Sequence, residues 1–225
     1  MVIKARRGRE PDFRYPAEQV WSAACAAYRI NGAYRKYPDI QDGKIVAPAN
    51  RELVKLYLAI DDCEFVTDAD RAQAAVCQQT LKNSVTLQAL KGELDEWSLL
   101  VARMTALEDV TTDYEVSVIT ALPKNYYQVI ERENINSRLA HCDNTGVGRV
   151  NELVTLSGEI VRVSYSNRFD TFYTTVITDD NQEVFFAYRE RLATARRIRF
   201  CGRVKRHAGR ATQLSRVKLV EQEVV

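Results

Sequence analysis

From Leu153 to Val220, β-branched and aromatic residues fall at every second position in five short runs, whereas before Gly146 the apolar positions recur at steps of three and four. A period of two belongs to a strand with one buried face, and a period near 3.6 belongs to a helix. The switch predicts an α+β, multi-domain chain: an all-α helical N-terminal domain followed by a β domain. Asp143-Asn144-Thr145-Gly146 with Gly148 marks the linker between them. The divisions expected are a basic arm over 1–16, a helical domain over 17–145 and a barrel domain over 146–225. A chain of 225 residues suits one or two domains, and 46% hydrophobic with 28% charged residues describes a folded globular protein.

In the arm, Lys4, Arg6, Arg7, Arg9 and Arg14 surround Gly8 and Pro11 without an apolar period. Pro16 suits the first position of a helix to about Ile30, with Trp21, Ala24 and Tyr28 on one face and Asn31-Gly32 as the stop. Residues 33–48 are turn-rich, with Pro38, Asp42-Gly43 and Pro48. Asn50 is expected to cap a helix whose Leu53, Leu56, Tyr57 and Ile60 form a stripe. Thr67 and Asp70 have the spacing of a capping box before an alanine-rich helix to about Lys82. Leu87, Leu90, Leu94, Trp97, Val101 and Met104 then repeat like a helix face packed on another helix, with Gly92 as a break or close approach. Over Thr111–Leu122 the indications divide: Thr112-x-x-Glu115 starts a helix, while Tyr114, Val116, Val118 and Thr120 alternate as in a strand. The balance favours helix, and Pro123 precedes a further helix ending near Leu139.

Five strands are expected at Leu153–Tyr165, Phe172–Thr178, Glu183–Tyr188, Arg197–Arg206 and Thr212–Val220. In the first, Val154, Leu156, Gly158 and Ile160 share a face, then Val161, Val163 and Tyr165 take over, which predicts a bulge near a glycine. Asp179 to Gln182 makes a hairpin turn, Arg189–Arg196 forms one helical turn or two, and His207 to Arg210 joins the last pair. That order is expected of a five-stranded Greek-key barrel. The stretch Leu156-Ser157-Gly158-Glu159-Ile160-Val161-Arg162-Val163, the pair Phe172 to Tyr188 and the run Ile198 to Val204 resemble OB-fold nucleic-acid-binding domains of the single-strand-binding type. The resemblance covers the last third; the helical part resembles no family. It implies a nucleic acid lying across strands two and three, gripped by the loops Ser166–Asp170, with Arg168 and Phe169, and Arg206–Ala211, with Arg206, His207 and Arg210.

A single strand needs cations for its phosphates and flat side chains for its bases. Tyr173 and Phe185 are expected as outward cross-strand neighbours, with Arg162, Arg199, Arg203 and Lys205 adding charge around the barrel. Phe172, Phe186 and Tyr188 share the parity of Val176 and Val184 and belong to the core. Tyr28 to Tyr37 interleaves aromatics and cations and is a second candidate patch, unless those rings pack on the helices. Segregated charge agrees with such a partner. Residues 1–38 carry 8 basic and 3 acidic groups (+5), 39–145 carry 10 and 18 (−8), and 146–225 carry 14 and 9 (+5), which sum to the formal +2.

Other classes find little support. No nucleotide-binding loop, hydrolase elbow or zinc-protease motif occurs. The five cysteines, Cys25, Cys63, Cys77, Cys142 and Cys201, are scattered and expected to be reduced, and His141 and His207 are the only histidines. Asp61, Asp62, Glu64, Asp68 and Asp70 could hold Mg²⁺ for a nuclease, though helix ends account for them. Apolar runs are too short to cross a bilayer and no signal-like segment follows Met1, so a cytoplasmic chain without membrane partner is expected. The expected function is non-catalytic binding of single-stranded DNA or RNA, without cofactor, as an accessory to replication, recombination or RNA handling, with a protein partner possible through the helical domain. The alternative is an assembly subunit of a larger machine that uses the barrel as a docking module.

Overall fold

The computed structural model describes residues 13–60 and 64–220. Two compact units divide between Ile130 and Glu131. In the first, a short strand β1 (Tyr15–Pro16) leads into α1 (Ala17–Asn31) and pairs with β4 (Asp109–Val110). Between lie the hairpin β2 (Asp39–Gln41) and β3 (Lys44–Ala47), then α2 (Asn50–Leu58), α3 (Asp68–Lys91) and α4 (Glu96–Thr105). The helix α5 (Asp113–Ala140) begins in this unit and ends in the next.

α1 is the centre of the helical unit. Every residue from Val20 to Ala27 is buried, and four alanines let neighbouring helices approach its backbone closely. Gly32 ends it in the left-handed region (φ 64°), as expected of a glycine stop. Pro16 sits one residue outside the helix, at the cap.

Several local expectations are corrected. Asn50 caps nothing: it is fully buried as the first residue of α2, and its Oδ1 accepts from Asn31 Nδ2 (2.9 Å) and Arg35 N (2.8 Å), tying α2 to the end of α1. The buried stripe of α2 is Leu53, Val54, Tyr57 and Leu58, while Leu56 and Ile60 are exposed. The repeat from Leu87 to Met104 is split by Gly92, which closes α3 in the left-handed region. Only Val101 and Met104 of that repeat are buried. Pro123 lies inside α5 rather than ahead of it. A proline there leaves the Ile119 carbonyl without its helical partner, a cost offset by the packing of Val116, Ile119 and Leu122 in the core. Asp42 and Gly43 do form a turn, both at positive φ, joining a true hairpin.

The capping box at Thr67 is complete: Asp70 N donates to Thr67 Oγ1 and Thr67 N donates to Asp70 Oδ2. Arg29 of α1 grips the same carboxylate with Nε and Nη2, each at 2.8 Å. Burial opposes ionisation of Asp70, but Arg29 and the Thr67 donors outweigh it and hold the carboxyl below its ordinary value of 3.8.

The second unit is a closed barrel of β5 (Leu153–Ser166), β6 (Thr171–Thr178), β7 (Glu183–Tyr188), β8 (Arg197–Ala208) and β9 (Ala211–Val220), in the order β5-β6-β7-β9-β8. All neighbours are antiparallel except β7 and β9, and β8 closes on β5. This is an OB-like barrel. Its core is Ile160, Val176, Val184, Phe186, Phe200, Val204 and Leu214. The expected helix between the third and fourth strands is absent: residues 189–196 form bends and a turn, and Leu192 drops from them into the core.

The expected bulge is present, with Val161 the extra residue between Ile160↔Val176 and Arg162↔Thr175. Val161 does not join the inward face. It points outward into a separate cluster with Ile135, Leu139, Cys142 and Ile177, where the last turns of α5 cover the barrel. Arg138 on those turns makes a two-pronged pair with Glu159 (2.9 and 3.2 Å), which keeps that carboxyl below its usual range.

Two outcomes follow. A Cβ at Gly158 would stand 2.3 Å from the Ile177 carbonyl oxygen and 2.8 Å from Thr178 Cα, backbone that cannot swing aside. Gly158→Ala should therefore cost about 2–3 kcal/mol in denaturant unfolding, as overpacking does. Asp70 binds fewer protons folded than unfolded just below pH 3.8, so its stabilising contribution is complete above that value and lost as pH falls through its depressed folded pKa. Asp70→Asn should lower neutral-pH stability by about 2 kcal/mol and flatten the acid limb of stability against pH measured by circular dichroism.

Candidate nucleic-acid interface

Outward residues of the barrel follow from its register. Arg162 of β5 lies opposite Thr175 of β6, Thr175 opposite Phe185 of β7, Phe185 opposite Gln213 of β9, and Gln213 opposite Arg206 of β8. One row thus runs round the barrel as Arg, Thr, Phe, Gln, Arg, with a guanidinium at each end and a ring in the middle. At a strand spacing of about 4.8 Å it is ~19 Å long. Arg206 Nε donates to Gln213 Oε1 (2.8 Å), and Arg162 Nη2 donates to Asn136 Oδ1 of α5 (2.6 Å), so both ends are oriented.

Tyr173 is not directly opposite Phe185, as the sequence suggested. Its partners are Ser164 and Ala187, and Phe185 lies on the diagonal, on the same outward face. Both rings are half-buried, with Ser164 and Ala187 as the register partners of Tyr173 and Thr175 and Gln213 as those of Phe185. Phe172 and Tyr188 have the inward parity expected, and Phe186 is fully buried.

The loop between β5 and β6 stands at one end of this face. Tyr165 Oη donates to Asp170 Oδ1, which raises the tyrosine's pKa and ties the loop across its base. At its tip Phe169 is 60% exposed, with the Arg168 guanidinium 5.3 Å from the ring centroid. The loop between β8 and β9 stands at the other end, beside the hairpin turn of β6 and β7, because Thr212 pairs with Val184. There Arg210 Nη1 donates to the Ala140 carbonyl (2.7 Å) at the end of α5, so it closes a helix as well as adding charge. His207 packs on Gly146 and bonds Thr212 Oγ1 (3.1 Å). The adjoining outward positions Glu159, Ile177 and Glu183 bound the face on the α5 side with two carboxylates.

The remaining sequence-derived cations lie elsewhere. Arg199, Arg203 and Lys205 point outward on β8, between β5 and β9 and away from β6 and β7. Of the patch Tyr28–Tyr37, the structure commits Tyr28 to stacking on Tyr127 (5.0 Å), Arg29 to Asp70 and Arg35 to Asp39. Lys36 and Tyr37 remain exposed as a pair 5.4 Å apart. Sequence reasoning missed Gln213, the row's fourth member. Its signal was the alternation of Thr212, Gln213 and Leu214, but the parallel pairing to β7 was needed to place it.

Other chemistries have less to work with. Asp61, Asp62 and Cys63 lie outside the described residues; of the remaining acids, Asp70 is held by Arg29, and Asp68 carries Arg71. No group of three metal-ligating side chains occurs among the described residues. Cys25, Cys77 and Cys142 are free and buried. The Cys77 thiol is pushed up by its hydrogen bond with Cys25 and by burial, which keeps it protonated. Among the described residues no helix is long and apolar enough to cross a membrane. Comparison with protein families, curated proteins and solved structures finds no match to this chain.

Proposed function

We propose that the barrel binds single-stranded nucleic acid across β6 and β7, as a non-catalytic accessory to replication, recombination or RNA handling. The observation that carries this reading is the row Arg162, Thr175, Phe185, Gln213, Arg206, with Tyr173 on the diagonal to Phe185. Two half-exposed rings can stack successive bases, while the guanidinium groups at either end and Arg168 at the loop tip meet the phosphates. Gln213 offers an amide to a base edge. Duplex nucleic acid hides its base faces, so stacking favours the unpaired form. The row across the strands is ~19 Å long, length for the few nucleotides that one barrel of this kind holds.

Fluorescence anisotropy with labelled single-stranded DNA, RNA and duplex at two salt concentrations tests the reading. Single strands should bind at low salt and weaken steeply as salt rises. Tyr173→Ala and Phe185→Ala should each cost about 1–3 kcal/mol of binding with unchanged circular dichroism. Absence of binding to every probe at low salt overturns the proposal.

A second reading, self-assembly through the helical unit, is favoured by one observation. Leu87, Leu90 (80% exposed), Leu94 and Trp97 form apolar surface around the turn from α3 to α4. In that case light scattering should show a mass that rises with concentration and returns to the monomer in Leu90→Glu; a concentration-independent monomer dismisses it.

A further inference from the structure

The outward residues of β8 between Arg199 and Arg206 are Arg199, Cys201, Arg203, Lys205 and Arg206. Opposite them stand Ser157, Thr155 and Leu153 on β5, and Val220, Lys218, Ser215 and Gln213 on β9. None of these positions carries a carboxylate, so the strip holds five cations, Lys218 included, with no counter-charge in register. The strip is bounded at one end by Arg197, which is spent on Asp179 and lies opposite Glu159. At the other end Arg206 is the last member of the aromatic row.

Two ordinary explanations of such cations fail. Basic residues often protect an exposed sheet edge from pairing, but Arg199 and Arg203 lie where β8 pairs with β5 on one side and β9 on the other, so there is no edge at those positions to protect. Nor are they there for ion pairs: Arg199 and Lys205 make no hydrogen bond or ion pair among the described residues, and Arg203 has only the Asn151 carbonyl (2.7 Å).

Resting on the reading of the β6 and β7 face given above, we propose that β8 is a second, purely electrostatic track for the same single strand. The strand crosses the row from Arg162 to Arg206, turns, and continues along β8 past Lys205 and Arg203 to Arg199. Alternate residues on a strand are about 7 Å apart, close to the step between successive phosphates of an extended polynucleotide. Only Cys201 breaks the series, and no ring is present to hold a base. The track therefore adds affinity and salt dependence without base preference.

The experiment uses the full chain, the variant R199Q/K205Q, and two oligothymidylates, one of about 5 and one of about 20 residues, bracketing the span of one barrel. The wild type should bind both. The variant should bind the longer one about tenfold more weakly at low salt. Its log-log salt slope should fall by about 1.4, the value for two lost phosphate contacts on a single strand, while the short oligonucleotide is unaffected. Unchanged affinity and slope for the long oligonucleotide overturn the track and leave the aromatic face standing. No binding of either oligonucleotide to the wild type overturns both.

Cys201 supplies a second measurement that leaves the cations intact. In a Cys63→Ser background it is the one cysteine among the described residues that is not buried. Its alkylation by iodoacetamide should slow several-fold with the long oligonucleotide and stay unchanged with the short one. Equal rates with and without the long oligonucleotide also overturn the track.

Discussion

The barrel depends on one strand belonging to two sheets. β5 pairs with β8 through Leu153–Glu159 and with β6 through Gly158–Ser166, so Gly158 and Glu159 have a strand on each side. At Gly158 the neighbouring backbone comes so near that only a hydrogen atom fits. Three residues later Val161 is added without a partner, and the parity of the strand reverses. Strict alternation from Ile160 would turn Arg162 into the core and Val163 out to water. The bulge puts Val163 against the core and Arg162 on the surface opposite Thr175. The same extra residue that lets the strand bend round the barrel also begins the outward row.

The strands were readable because a half-buried strand must alternate, and each run was bounded by residues that cannot continue it. Glu183–Tyr188 is observed as expected, and the other four differ by one or two residues at an end. What alternation does not contain is the offset between one strand and the next. Tyr173 and Phe185 share a face by parity alone, but the turn at Asp179 to Gln182 decides that they meet on the diagonal. Gln213 reaches the row only through the parallel pairing of β9 with β7, which no local pattern announces. Arg199, Arg203 and Lys205 were legible as outward, not as lying on the opposite side of the barrel from the rings.

The helical unit was less legible for a different reason. A helix pattern admits adjacent stripes, and which one is buried depends on the neighbour: α2 turns Val54 and Tyr57 inward and leaves Leu56 in water. Asn50 has the chemistry of a cap, but its buried Oδ1 accepts from Asn31 and the Arg35 backbone and is spent on the junction of two helices instead. Pro123 reads as a boundary, yet Val116, Ile119 and Leu122 are buried around it, and their burial outweighs one lost hydrogen bond. Capping signals that are self-contained, such as Thr67 with Asp70, survived because both partners lie within one turn.

The outer surface of the barrel separates two uses of apolar area. Val161 and Ile177 are covered by Ile135 and Leu139 of α5, the ordinary fate of apolar groups on a sheet's outer face. Tyr173 and Phe185 lie on the same sheet, with Ser164, Ala187, Thr175 and Gln213 as register partners and no ring stacked on either among the described residues. If their purpose were to seat α5, they would stand where Ile177 does. Phe169 has less support still, at the tip of a loop whose base is fixed by Tyr165 and Asp170. Rings held in place but left half-exposed forgo part of their burial energy, and on the proposed reading a planar base from solution would restore it.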